Sequence, residues 1–74
     1  VCMWMGNTFI PLSVAFIRED GVIVGIDDMA PMTRDSHCAP MPVRYALEVP
    51  RGWFAARSEG VGGQVSGLPR SPRN

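Results

Sequence analysis

Seventy-four residues, 46% hydrophobic and 19% charged, suit one small globular domain and carry too much apolar surface for a disordered chain. Seven arginines balance seven acidic residues, so no bulk charge draws the chain to nucleic acid or to an anionic membrane. No apolar run approaches the ~20 residues of a membrane-spanning helix, and no basic-then-apolar leader opens the chain.

The charge is uneven along the sequence. Residues 1–37 hold Arg18 and Arg34 against five acidic residues, while residues 38–74 hold five arginines against Glu48 and Glu59. A domain this small draws only about 3–5 kcal/mol from a single core, so every large apolar side chain counts.

The first stretch, MWMGNTFIPL over residues 3–12, concentrates apolar groups where chains ordinarily fray. Gly6-Asn7-Thr8 interrupts it as a tight bend, in which the Asn7 amide and Thr8 hydroxyl can satisfy backbone groups. Two apolar runs follow, SVAFI (13–17) and VIVGI (22–26), joined by a segment ending in Asp20-Gly21. That pattern predicts a β-hairpin, with the glycine supplying the positive φ of the turn. Both runs are apolar on both faces, which predicts strands covered on each side.

From Asp27 to Pro42 the periodicity disappears among three prolines, and the segment reads as a long connection. VRYALEV (43–49) returns to strand alternation, with Val43, Tyr45, Leu47 and Val49 on one face and Arg44 and Glu48 on the other. Pro50 closes that strand. RGWFAARSE (51–59) reads as a short helix that aims Trp53 and Phe54 at the core, with Gly60 stopping it. VGGQV (61–65) is a brief final strand or turn, and residues 67–74 form a polar tail. The expected fold is therefore α+β and β-rich: a hairpin with additional strands in a barrel-like sheet, and one short helix.

Chemistry-bearing residues are few. His37-Cys38 invites a nucleophile reading, but adjacent side chains on extended backbone diverge, and a thiolate needs a base and an electropositive setting. Only Arg34 is nearby in sequence, so Cys38 is expected to be inert at neutral pH. No Cys-x-x-Cys or His-x-x-x-His spacing is present, and no metal ligand set or catalytic residue is assigned. Asp27, Asp28 and Asp35 lack the glycine and terminal glutamate of a calcium loop and read as turn formers. Gly60 to Gly63 lacks the lysine and context of a phosphate loop and reads as a turn. Arg44 and Glu48 share a strand face as a solvated pair. A polar pocket, if the chain has one, would be lined by Asn7, Thr8 and Arg44.

Trp4, Met5, Asn7 and Thr8, then Ile10-Pro11-Leu12, the Asp20-Gly21 turn, Pro31, Arg44 to Glu48, Gly52-Trp53 and Val61-Gly62 stand in an order and spacing with a precedent. The chain resembles the domain-of-unknown-function family 192, small bacterial and archaeal proteins, over residues 3 to about 65. The resemblance implies further strands before Met3, so residues 1–66 are expected to be an N-terminally incomplete domain. On that view Met3, Trp4 and Met5 lie on an uncovered strand through which the chain self-associates. Gly6, Ser13 and Gly63 depart from the charged residues of the family pattern, which removes members from any polar site they share. Relatives with the look of exported proteins imply an extracytoplasmic location. An exported chain could pair Cys2 with Cys38, while a reducing compartment would leave both as thiols.

The functional expectation is a non-enzymatic accessory or binding module, with no cofactor, for a small ligand or an extended peptide at a sheet edge. The alternatives are an enzyme whose site is shared with a segment outside this chain, and nucleic-acid binding through the arginine-bearing half. The zero net charge weighs against the latter.

Overall fold

A computed structural model describes residues 2–6 and 8–67 of the chain. Asn7 lies outside the described residues, as does the tail from residue 68 onward. The elements in chain order are β1 (Cys2–Met3), β2 (Leu12–Ile17), β3 (Ile23–Met29), β4 (His37–Cys38), β5 (Tyr45–Pro50) and α1 (Trp53–Ala56). They form an antiparallel three-stranded sheet in the order β3-β2-β5 and a two-stranded sheet of β1 and β4. The mostly β architecture with one short helix follows the sequence. Closure into a barrel does not: among the described residues β3 and β5 remain the two outer strands of their sheet.

β2 is the central strand because it is apolar on both faces. Ser13 through Ile17 are all buried. Alternation along the pleat sends Val14 and Phe16 into a cluster with Met5 and Met29. It sends Ala15 and Ile17 into a second cluster with Ile23 and Phe54 on the opposite face. One face is thus covered by the N-terminal segment and the β1–β4 layer, the other by α1 and the segment around Val65.

The hairpin closes as its turn chemistry requires. The Gly21 N–H donates to the Arg18 carbonyl at 2.9 Å, the Arg18 N–H donates to the Val22 carbonyl at 2.9 Å, and Gly21 has φ 90°. This is a three-residue loop with glycine at its left-handed position. A Cβ there would lie 2.5 Å from the Val65 carbonyl oxygen and the Gln64 side chain, so glycine is required twice over. The Arg18 guanidinium braces the turn by donating from Nε and Nη2 to Asp20 at 3.1 and 2.7 Å.

Four sequence expectations are corrected. β3 runs on through Asp27 and Asp28 to Met29, where the sequence read the start of a loop. Each aspartate has a partner there: the Ser13 hydroxyl donates to Asp28 at 2.7 Å, and His37 Nδ1 meets Asp27 at 2.6 Å. The long connection also contains β4, which holds His37 and Cys38 against β1. β5 spans Tyr45–Pro50, with Pro50 opposite Leu12, and not residues 43–49. The helix is a single turn, because Ser58 already takes a left-handed φ of 55°.

The last described segment docks beside the start of β3. Gly62 donates to Ile23 at 2.8 Å, Ile23 to Gly63 at 2.9 Å, and Val65 to Gly21 at 2.8 Å, with Gln64 bridged to Val22. These bonds carry Gln64 and Val65 toward α1.

Candidate functional site: a cleft beneath helix α1

The residues singled out from sequence fall at separate places. The Thr8 N–H donates to Met5 at 3.1 Å and its carbonyl accepts from Met32 at 2.9 Å, beyond the Leu12–Met29 end of the sheet. Arg44 donates its N–H to Ile17 at 3.0 Å, at the other end of β2, and its Nε lies 3.9 Å from Glu19. With a rise of roughly 3.3 Å per residue, the six residues of β2 set those ends roughly 17–20 Å apart. Thr8 and Arg44 thus lie toward opposite ends of β2, and Asn7 lies outside the described residues. Arg44 instead borders a shallow, open depression of about 360 Å³ with Arg18, Glu19, Pro42 and Val43.

Cys2 and Cys38 are paired in register between β1 and β4 and joined as a disulfide. Cys38 thus carries no thiol, and the expected inert thiol is replaced by a bond. Being successive on a strand, His37 turns inward to Asp27 while Cys38 stays exposed. With Nδ1 donating to the carboxylate, the His37 Nε2 is buried and has no partner among the described residues. No group of three or more His, Cys, Asp or Glu gathers in metal-binding geometry among the described residues. Gly60 to Gly63 forms a turn closed by Gly63 donating to Gly60 at 2.9 Å.

The N-terminal apolar run divides. Met5 is fully buried, Met3 packs half-buried against the same cluster, and Trp4 stands 53% exposed with its ring where a Cβ on Gly6 would sit. Phe9 and Ile10 are exposed as well.

A different concavity is built at the other face of the sheet. Ile23, Leu47, Phe54 and Val65 form its apolar floor, and Trp53 walls it, around a volume of about 200 Å³. The ring of Trp53 meets that of Phe54 edge to face, with centroids 5.1 Å apart, which fixes the orientation of the wall. Phe54 is buried and anchors α1 to β2, whereas Trp53 is only half-buried. Arg57, one helical turn on, stacks its guanidinium 3.8 Å from the Trp53 ring centroid and donates from Nη1 to the Trp53 carbonyl at 3.4 Å. Glu59 and Gln64 complete the mouth, and the Gln64 amide is bonded to the Asp20 carbonyl. An apolar floor with a few polar groups at its mouth is the ordinary make-up of a small-molecule site.

This cleft was not read from the sequence. The signal that could have found it is the Trp53…Arg57 spacing of four, which places a cation over an aromatic ring on one helix face. The approach of Val65 depends on long-range backbone pairing and has no local signature.

Gly6, Ser13 and Gly63, the positions that depart from the family pattern, do not converge. Gly6 lies under Trp4, Ser13 bonds Asp28, and Gly63 pairs with Ile23 near the opposite end of β3. Residues 1–67 of the 74 match the DUF192 family, described as "Uncharacterized ACR", and the chain belongs to that family. No curated protein and no solved structure matches the chain.

Proposed function

We propose that this DUF192 chain is a non-catalytic binding module that works outside the cytoplasm and holds a small apolar ligand in the cleft beneath α1. The observation that carries this reading is the cleft itself, apolar at its base and open to solvent past Arg57, Glu59 and Gln64. The chemistry-bearing side chains are meanwhile committed to structure. Both cysteines are in the disulfide, Asp28 accepts from Ser13, and the Asp27–His37 pair closes the free ring nitrogen off from solvent.

Two features favour a small ligand over the other partners. β5, an outer strand, carries Glu48 and ends at Pro50, both of which discourage an added peptide strand. Arg18 is bonded to Asp20, Arg44 lies near Glu19, and Arg57 covers Trp53, so the Arg18 and Arg44 charges are matched locally and Arg57 stands apart on the helix side, a poor set for a phosphate backbone. The disulfide supports an oxidising location, since such bonds persist outside the cytoplasm.

Trp53 reports on the cleft directly. In a Trp4→Phe background its emission should shift saturably on addition of indole-sized neutral probes such as benzyl alcohol. A ligand of about ten heavy atoms is expected to bind with a Kd of roughly 0.1–10 mM. An unchanged spectrum up to the solubility limit would sink the reading.

A further inference from the structure

We infer that the ligand suited to this cleft is an apolar monocarboxylate, aromatic or branched, with its carboxylate on Arg57. The inference rests on the cleft reading and adds a chemical class to it. Size comes first. A dry cavity of about 150 Å³ accepts benzene, so a cleft of about 200 Å³ takes a ring with a short substituent. Ile23, Leu47, Phe54 and Val65 offer that ring no hydrogen bond from their side chains, which selects an apolar body.

Charge supplies the rest. The Arg57 guanidinium lies over the Trp53 ring, 3.8 Å from its centroid, which keeps the group at the mouth of the cleft. One of its donors reaches the Trp53 carbonyl, and no carboxylate lies within ion-pair distance of it among the described residues. A planar, pre-positioned fork with donors to spare matches a carboxylate in two-point geometry.

Glu59 lies at the same mouth but turns toward the Gly60–Gly63 turn. Its Oε2 lies 3.2 Å from where a Cβ on Gly63 would be. Its negative charge at the mouth disfavours a second acidic group on the ligand, which limits the class to monocarboxylates. The Arg18–Arg44 depression is a poorer anion site: Arg18 is already bonded bidentately to Asp20, Glu19 lies 3.9 Å from Arg44, and the walls are open.

Phenylacetate, its neutral isostere phenylacetamide and the cationic phenethylamine separate the possibilities on the unmodified, disulfide-intact chain. Phenylacetate is expected to bind about tenfold tighter than phenylacetamide at low salt, phenethylamine more weakly than either, and the preference should shrink as salt rises. Arg57→Gln should abolish the preference, so that within the variant phenylacetate and phenylacetamide bind equally. Equal binding of phenylacetate and phenylacetamide would overturn the carboxylate class and leave the cleft reading standing. A preference that survives in a folded Arg57→Gln chain would overturn the role of Arg57. Failure of all three probes to bind would overturn the cleft reading and this inference with it.

Discussion

Removing the Cys2–Cys38 bond should cost this chain most of its stability. The bond joins residues 36 apart in sequence. In the chain-entropy treatment, closing a loop of that length takes about 4 kcal/mol of freedom from the unfolded state. A domain of this size gains only about 3–5 kcal/mol from its core, so the two magnitudes are equal. The native-state consequence has the same sign. Met5, fully buried against Val14, Phe16 and Met29, is held by a segment whose β1 is two residues long and, among the described residues, pairs only with β4. Once that layer is released, one face of the central strand is open to water. The assay is urea unfolding followed by far-ultraviolet circular dichroism, comparing the oxidised chain with a Cys2→Ser/Cys38→Ser variant. With a slope near 1 kcal/mol/M for so small a chain, the midpoint should fall by roughly 3–4 M, leaving the variant largely unfolded without denaturant. Both cysteines are exposed, so a thiol reductant should reproduce the effect on the unaltered chain. A midpoint shift below about 0.5 M would refute the claim that the bond closes the fold.

Phe54→Ala should cost about 3–4 kcal/mol and Trp53→Ala about 1–2 kcal/mol, because only Phe54 is fully inside; the sequence alone assigned both to the core, and a reversed order of unfolding midpoints would contradict the placement of α1. Asp20 is held below the ordinary carboxylate value by the hydrogen bonds from Arg18 and then by the Val22 N–H, so it stabilises the fold above pH of about 4 and loses that contribution as pH falls. Asp20→Asn should therefore lower the thermal midpoint at pH 7, with the gap closing in acid; a gap that widens in acid would contradict this. If the chain self-associates, Trp4, Phe9 and Ile10 should carry the contact instead of the buried Met5, so Trp4→Ser should reduce the apparent mass by light scattering while Met5→Ser unfolds the chain.

The parts of the fold that announce themselves in the sequence are those with local causes. Asp20-Gly21 sets its own turn, and the double-sided apolarity of residues 13–17 marks the covered central strand. Alternation over residues 43–49 appears in β5 as half-buried Tyr45, Leu47 and Val49 facing away from exposed Ala46 and Glu48. What stayed hidden depends on distant partners. Asp27 and Asp28 are poor strand residues and are kept in β3 by Ser13 and His37, 15 and 10 residues away. β1 and β4 are too short to leave a periodicity and are specified by each other.

The same division governs the site. Residue type alone groups Asn7, Thr8 and Arg44, while the backbone bonds of Thr8 and Arg44 fall toward opposite ends of β2. The cleft needs α1, Leu47 of β5 and the Gly62–Val65 docking together. Only the Trp53-Arg57 stack within it is local.

The most direct test of the binding account is a two-dimensional amide titration of the oxidised chain with phenylacetate. The expected result is a saturable shift at Trp53, Phe54, Arg57, Gln64 and Val65, with Thr8 and Arg44 unmoved. Shifts centred on Thr8 or on the Arg18–Arg44 depression, or none anywhere at tens of millimolar ligand (roughly the weakest affinity that a real site of this size would show), would contradict it.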